Sequence, residues 1–100
     1  MKIEGRTVRQ ATMDTFYYDG SAPDIGYPCE VILTDEELVI SYDHEGGVVY
    51  RGKAIGPGHY ELTSKEEDGR AVMHCLPGSK AVVGSWRVGQ YTGLWKVTIS

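Results

Sequence analysis

Val82-Val83-Gly84-Ser85-Trp86-Arg87-Val88-Gly89-Gln90-Tyr91-Thr92-Gly93-Leu94-Trp95-Lys96-Val97 is the stretch that decides how this chain folds. Two runs of β-branched and aromatic residues flank Gly89-Gln90, which suits a type II′ turn with glycine at the first central position. That turn sets the pairing on either side. Val88 meets Tyr91, Trp86 meets Gly93, Gly84 meets Trp95 and Val82 meets Val97, all on one face of the ribbon. Each tryptophan therefore faces a glycine, an arrangement that lets two indoles lie flat inside a strongly curved sheet.

The same inner face extends backward through the chain. The Leu76-Pro77-Gly78-Ser79-Lys80 connection places Cys75 against Val82, and Thr34-Asp35-Glu36-Glu37 places Leu33 against Leu38. Across Asp43-His44-Glu45-Gly46-Gly47, Tyr42 opposes Val48 and Ile40 opposes Tyr50. Asp68-Gly69 reads as a two-residue type I′ turn, which sets Leu62 opposite Cys75, Ser64 opposite Met73 and Thr63 opposite His74. Tyr60, Leu62, Met73 and Cys75 then face inward and His74 outward. Residues 64–69, the one stretch that tempts a helix reading, are too short and polar to hold one.

From residue 27 to 99 such strands alternate with Gly, Asp and Pro clusters at a spacing of about ten residues, which gives about seven strands. Residues 3–18 supply one or two more, and residues 19–26 form the longest loop. A total near eight favours closure, because closing the sheet removes the edges that a flat meander exposes. The expected fold is all-β: an antiparallel up-and-down meander of about eight strands in a small barrel, complete or incompletely closed, forming one domain over residues 1–100.

Gly84-Ser85-Trp86 and Gly93-Leu94-Trp95 resemble the Gly-x-Trp strand signature of calycin-type barrels, the lipocalin and avidin relatives. The resemblance covers the last third of the chain and implies a barrel with a ligand space at its mouth. In lipocalins the signature lies near the N-terminus after a short helical turn, which this sequence lacks, so no ligand residues carry over. Residues 50–62, with the tryptophan segments, also resemble small bacterial proteins of unassigned function.

Charge and composition narrow the function classes. The formal charge is −4, with 14 acidic against 10 basic residues scattered along the chain, so no basic stripe awaits a nucleic-acid backbone. No apolar run approaches the roughly 20 residues of a membrane helix, and Met1-Lys2-Ile3-Glu4-Gly5 lacks the apolar stretch of a signal peptide. The expectation is a cytoplasmic protein without membrane or nucleic-acid partners. Its two cysteines, Cys29 and Cys75, then stay free thiols, although one bridge between them is the alternative.

The motifs that suggest chemistry have bland explanations. Gly47-Val48-Val49-Tyr50-Arg51-Gly52-Lys53 matches the start of a phosphate-binding loop, but Ala54 replaces the required Ser or Thr and Gly56-Pro57-Gly58 forbids the following helix. His74 and Cys75 are strand neighbours, so they point to opposite faces and cannot converge on one atom. His44, His59 and His74 lack metal-ligand spacing, and no Cys-x-x-Cys pair exists. Asp35-Glu36-Glu37 and Glu66-Glu67-Asp68 sit at hairpin tips, where solvated charge is the ordinary outcome. Neither a catalytic residue, a metal ligand nor a cofactor is expected.

The aromatic set is more suggestive. Tyr42, Tyr50, Tyr60, Trp86, Tyr91 and Trp95 all fall on the inner side, where each polar tip needs a hydrogen-bond partner, water or a ligand. They are either simply core or the wall of a pocket at one barrel mouth. Two functions follow as expectations. One is a non-enzymatic module holding a small apolar or planar ligand on these six residues. The other is a protein-interaction or inhibitor domain, heteromeric or homodimeric, acting through an edge strand or the 16–26 region with Phe16-Tyr17-Tyr18.

Overall fold

A computed structural model describes residues 7–100. Expectations for residues 3–6 lie outside the described residues. Eight strands run in chain order: β1 (Arg9–Tyr17), β2 (Asp24–Leu33), β3 (Glu37–Tyr42), β4 (Val48–Gly56), β5 (His59–Ser64), β6 (Gly69–Cys75), β7 (Ala81–Val88) and β8 (Tyr91–Ile99). Each pairs with its sequence neighbour, and β1 returns to pair with β8, closing an antiparallel barrel. Among the described residues no helix is long and apolar enough to cross a membrane.

The C-terminal ribbon has the expected register: Val88 opposite Tyr91, Trp86 opposite Gly93, Gly84 opposite Trp95, Val82 opposite Val97. Gly89 takes φ +59°, as the first central position of a II′ turn requires. Trp86 and Trp95 are both buried. A Cβ at position 93 would lie 2.7 Å from the Trp86 indole and 1.9 Å from the Phe16 carbonyl oxygen, so glycine there makes room for both a ring and a strand. Gly84 has another reason to be glycine. Its nearest neighbours are backbone atoms of β6, with the Val72 carbonyl oxygen 1.8 Å from where a Cβ would stand. The bend that the Trp/Gly pattern implies is therefore partly set by how closely β6 approaches.

Cys75 opposite Val82, Leu33 opposite Leu38, Tyr42 opposite Val48 and Ile40 opposite Tyr50 also pair as the sequence implies. The β5–β6 hairpin corrects the two-residue turn expected at Asp68-Gly69. Residues 65–68 form the connection, Asp68 alone takes the left-handed conformation at φ +52°, and Gly69 already pairs with Ser64. Leu62 therefore opposes Ala71, Thr63 opposes Arg70, and His74 opposes His59. Gly69 is glycine for space rather than for the turn, because a Cβ there would lie 2.0 Å from the Tyr50 hydroxyl. The slip is an even number of residues, so every side chain keeps its face and His74 still points outward.

β2 begins at Asp24, earlier than the loop read from the sequence allows, and leaves residues 18–23 as the connection. It outruns β3: the two pair only from Glu30 to Leu33, so among the described residues 24–28 have β1 as their one strand partner. One end of the barrel is filled by Val31, Leu38, Ile40, Leu62, Met73, Val82 and Val97, each at most 1% exposed. The fill does not reach the other end.

Candidate functional site

In an up-and-down barrel alternate connections gather at the same end. Here residues 18–23, 43–47, 65–68 and 89–90 surround one mouth. Beneath them lies a cavity of about 690 Å³ that opens to solvent, within the size range of small-molecule sites. Trp86 and Trp95 form its floor, side by side with ring centroids 6.2 Å apart and planes tilted by 30°. The aromatic lining continues in both directions through edge-to-face contacts. Tyr17 meets Trp86 at 5.7 Å, Tyr42 meets Trp95 at 6.4 Å, and Tyr27 meets Tyr42 at 6.0 Å. Pairs of this geometry fix ring orientation beyond simple area burial.

Of the six residues singled out in the sequence, Trp86, Trp95, Tyr42 and Tyr91 line this cavity, Tyr91 at the exposed rim. Tyr50 and Tyr60 do not. Tyr50 is fully buried with its ring against Trp95, centroids 4.9 Å apart. Tyr60 belongs to the opposite end, where its hydroxyl donates to the Thr34 carbonyl at 2.7 Å. All six alternate onto the inner face, but β5 carries Tyr60 away from the mouth.

The sequence reading missed the polar half of the site. Glu67, at a hairpin tip, folds inward and is half-buried. Its two carboxylate oxygens accept the Tyr50 hydroxyl at 2.7 Å and the Tyr42 hydroxyl at 3.2 Å. Burial first, and Glu67 second, push both phenols far above their ordinary range, so they remain O–H donors. Glu66 of the same tip accepts the Val49 N–H and the Ser64 hydroxyl, each at 3.1 Å, which holds its carboxyl below the usual value. The pair thus ties the tip to the barrel wall: Glu66 and Asp68 stay exposed, as solvated charge at a hairpin tip implies, and Glu67 alone turns inward.

Across the mouth the Tyr17 hydroxyl donates to Asp24. This hydrogen bond, then burial, raise the phenol to about 12. Asp19 accepts the Ser21 N–H at 2.9 Å, and hydrogen bonding by Ser21 lowers its carboxyl. The Tyr27 hydroxyl donates to the Asp43 carbonyl, bridging the stretch where β2 has left β3. The Trp86 indole N–H is buried with no hydrogen-bond partner among the described residues, unlike the hydroxyls of Tyr17, Tyr42 and Tyr50.

Elsewhere, Cys29 is buried and Cys75 half-buried, both free. On the outer wall the Nδ1 atoms of His59 and His74 lie 2.7 Å apart, a contact the four-residue slip of the hairpin creates. Among the described residues no group of three or more His, Cys, Asp or Glu could hold a metal ion.

Set beside known proteins, the chain matches no family model, no curated protein and no solved structure.

Proposed function

We propose that this protein is a non-enzymatic binding module of calycin-like type, which holds a small planar or apolar ligand at the open end of the barrel and works in the cytoplasm. The observation that carries this reading is the cavity of about 690 Å³ whose floor is two parallel-leaning indoles and whose walls are tyrosines. A closed eight-stranded antiparallel barrel supports the calycin comparison, and two unbridged cysteines accord with a reducing compartment. Stacking between a planar ligand and the indole faces supplies affinity, while the buried wall excludes water. Replacing Trp95 by Ala in a fragment screen tests this. The folded variant should lose the planar fragments that the native protein retains; an unchanged profile would contradict a ligand site on that floor.

A second reading is favoured by one observation: among the described residues 24–28 of β2 have a strand partner on one side only, with Phe16, Tyr18 and Ile25 exposed at the same end. An extended segment of a partner protein or a second copy would add there as a strand. Pro28 and Gly26 within the stretch weaken such pairing. Sedimentation of the native protein and of Ile25→Arg checks it: a self-associating native chain made monomeric by the change supports this reading, and a native monomer speaks against the homodimer.

A further inference from the structure

The cavity carries a charge that its aromatic floor does not require. Asp19, Asp24 and Glu67 all line it, and among the described residues no lysine or arginine does. The described lysines and arginines all stand on the exposed surface. Among the described residues none of the three carboxylates has an ion-pair partner; His44 at the rim turns its Nε2 to Glu45, 3.1 Å away. What the three do accept are neutral O–H and N–H groups, from Tyr42, Tyr50, Tyr17 and Ser21. A carboxylate has room for about four hydrogen bonds, so each keeps free lone pairs.

The rings add to the same sign. The face of an indole or phenol is the negative pole of its quadrupole, and a cation over it within about 6 Å is attracted. Because Tyr42 and Tyr17 turn their hydroxyl protons to Glu67 and Asp24, those protons are already committed to carboxylates. A cleft with low-dielectric walls and charge of one sign concentrates counter-ions of the other.

We infer that the site selects organic cations: an amine or N-methylated ammonium on a planar or apolar body, the body stacked on Trp86 and Trp95 and the charge placed toward Glu67, Asp24 and Asp19. This rests on the reading of the cavity as a ligand site and specifies the class of ligand. An inorganic ion is a poorer occupant, because among the described residues no cluster could coordinate one.

Three probes of one shape test it: phenyltrimethylammonium, its neutral isostere tert-butylbenzene, and benzenesulfonate. Each is titrated into the native protein and followed at the two indole N–H resonances. The cation should bind about tenfold more tightly than the neutral isostere, as cation–π and carboxylate contacts of ordinary strength imply. Benzenesulfonate should not bind measurably. Glu67→Gln should bring the cation and its isostere close to equal affinity. Asp24→Asn should reduce the difference in part, and it leaves the partners of Tyr42 and Tyr50 in place should the first variant prove unstable. Equal binding of cation and isostere to the native protein would overturn cation selection while leaving a planar-ligand site standing. Failure of all three probes to move either indole would overturn both.

Discussion

Gly93 and Trp86 define each other at the scale of single residues. A Cβ at 93 would lie 1.9 Å from a main-chain oxygen of β1 as well as against the ring, and main chain held in the β1–β8 ladder cannot step aside. Gly93→Ala should therefore cost about 3 kcal/mol, at the upper end of overpacking effects, read as a lowered urea midpoint. Cys29 gives a chemical counterpart. Burial first, with Glu30 adding, raises its thiol to about 11, so at pH 8 it is protonated and enclosed. Maleimide at that pH should label the half-exposed Cys75 and leave Cys29 untouched until urea is added; prompt labelling of Cys29 in the native protein would contradict its placement. The inward side of Trp86, Trp95 and Cys29 was legible because strand alternation assigns a face to every residue. Glu67, Tyr17 and Asp24 were not legible as a site. Glu67 reaches from its hairpin tip to Tyr42 and Tyr50 on β3 and β4, and Tyr17 meets Asp24 only because β2 begins where the sequence reads a loop, so strand alternation encodes neither contact.

The two hairpins that differ most in legibility show what sets register at the scale of elements. The β7–β8 register follows from its turn because Gly89 is there for its positive φ, so the glycine and the turn coincide. In β5–β6 the conspicuous Asp68-Gly69 pair misleads: Asp68 supplies the left-handed residue, and Gly69 is small because the Tyr50 hydroxyl occupies the space above it. A double-mutant cycle separates these reasons. Gly69→Ala should destabilise by about 2 kcal/mol in the native background and by clearly less when combined with Tyr50→Leu, which removes the hydroxyl and the ring edge that a Cβ at 69 would meet. An equal cost in both backgrounds would restore the turn as the reason. The N-terminal strands were the least legible. β1 and β2 shift register between Met13 and Thr15, and β2 includes Pro28, so neither alternation nor composition marks where the strands begin.

For the molecule as a whole, closure makes one end solid and leaves the other a polar-rimmed aromatic cavity, and phenols and a thiol on the inner wall couple stability to pH. Tyr17 rises to about 12 through Asp24 and burial, Tyr42 and Tyr50 rise further mainly through burial, and Cys29 rises to about 11. Each is neutral when protonated and titrates near its ordinary value of 9.0 or 10.0 once unfolded. Above those values the unfolded chain releases protons that the native state retains, so stability falls with rising pH. The contribution is complete below about pH 9 and is lost as pH climbs through 10 toward 12. Urea midpoints should hold level to pH 9 and drop steeply by pH 11; a level or rising midpoint over that interval would contradict buried phenols. That the barrel closes was legible from strand count and turn spacing, whereas its uneven filling depends on where eight strands end relative to one another. The account as a whole turns on Trp86 and Trp95 as the floor of an accessible ligand space. Its most direct test is a titration of the labelled protein with a planar aromatic probe, followed at every assigned N–H. Saturable shifts of both indole resonances, with the Thr34 and Tyr60 amides at the far end unmoved, are the predicted result. Shifts confined to the outer wall, or none at either indole, would contradict it.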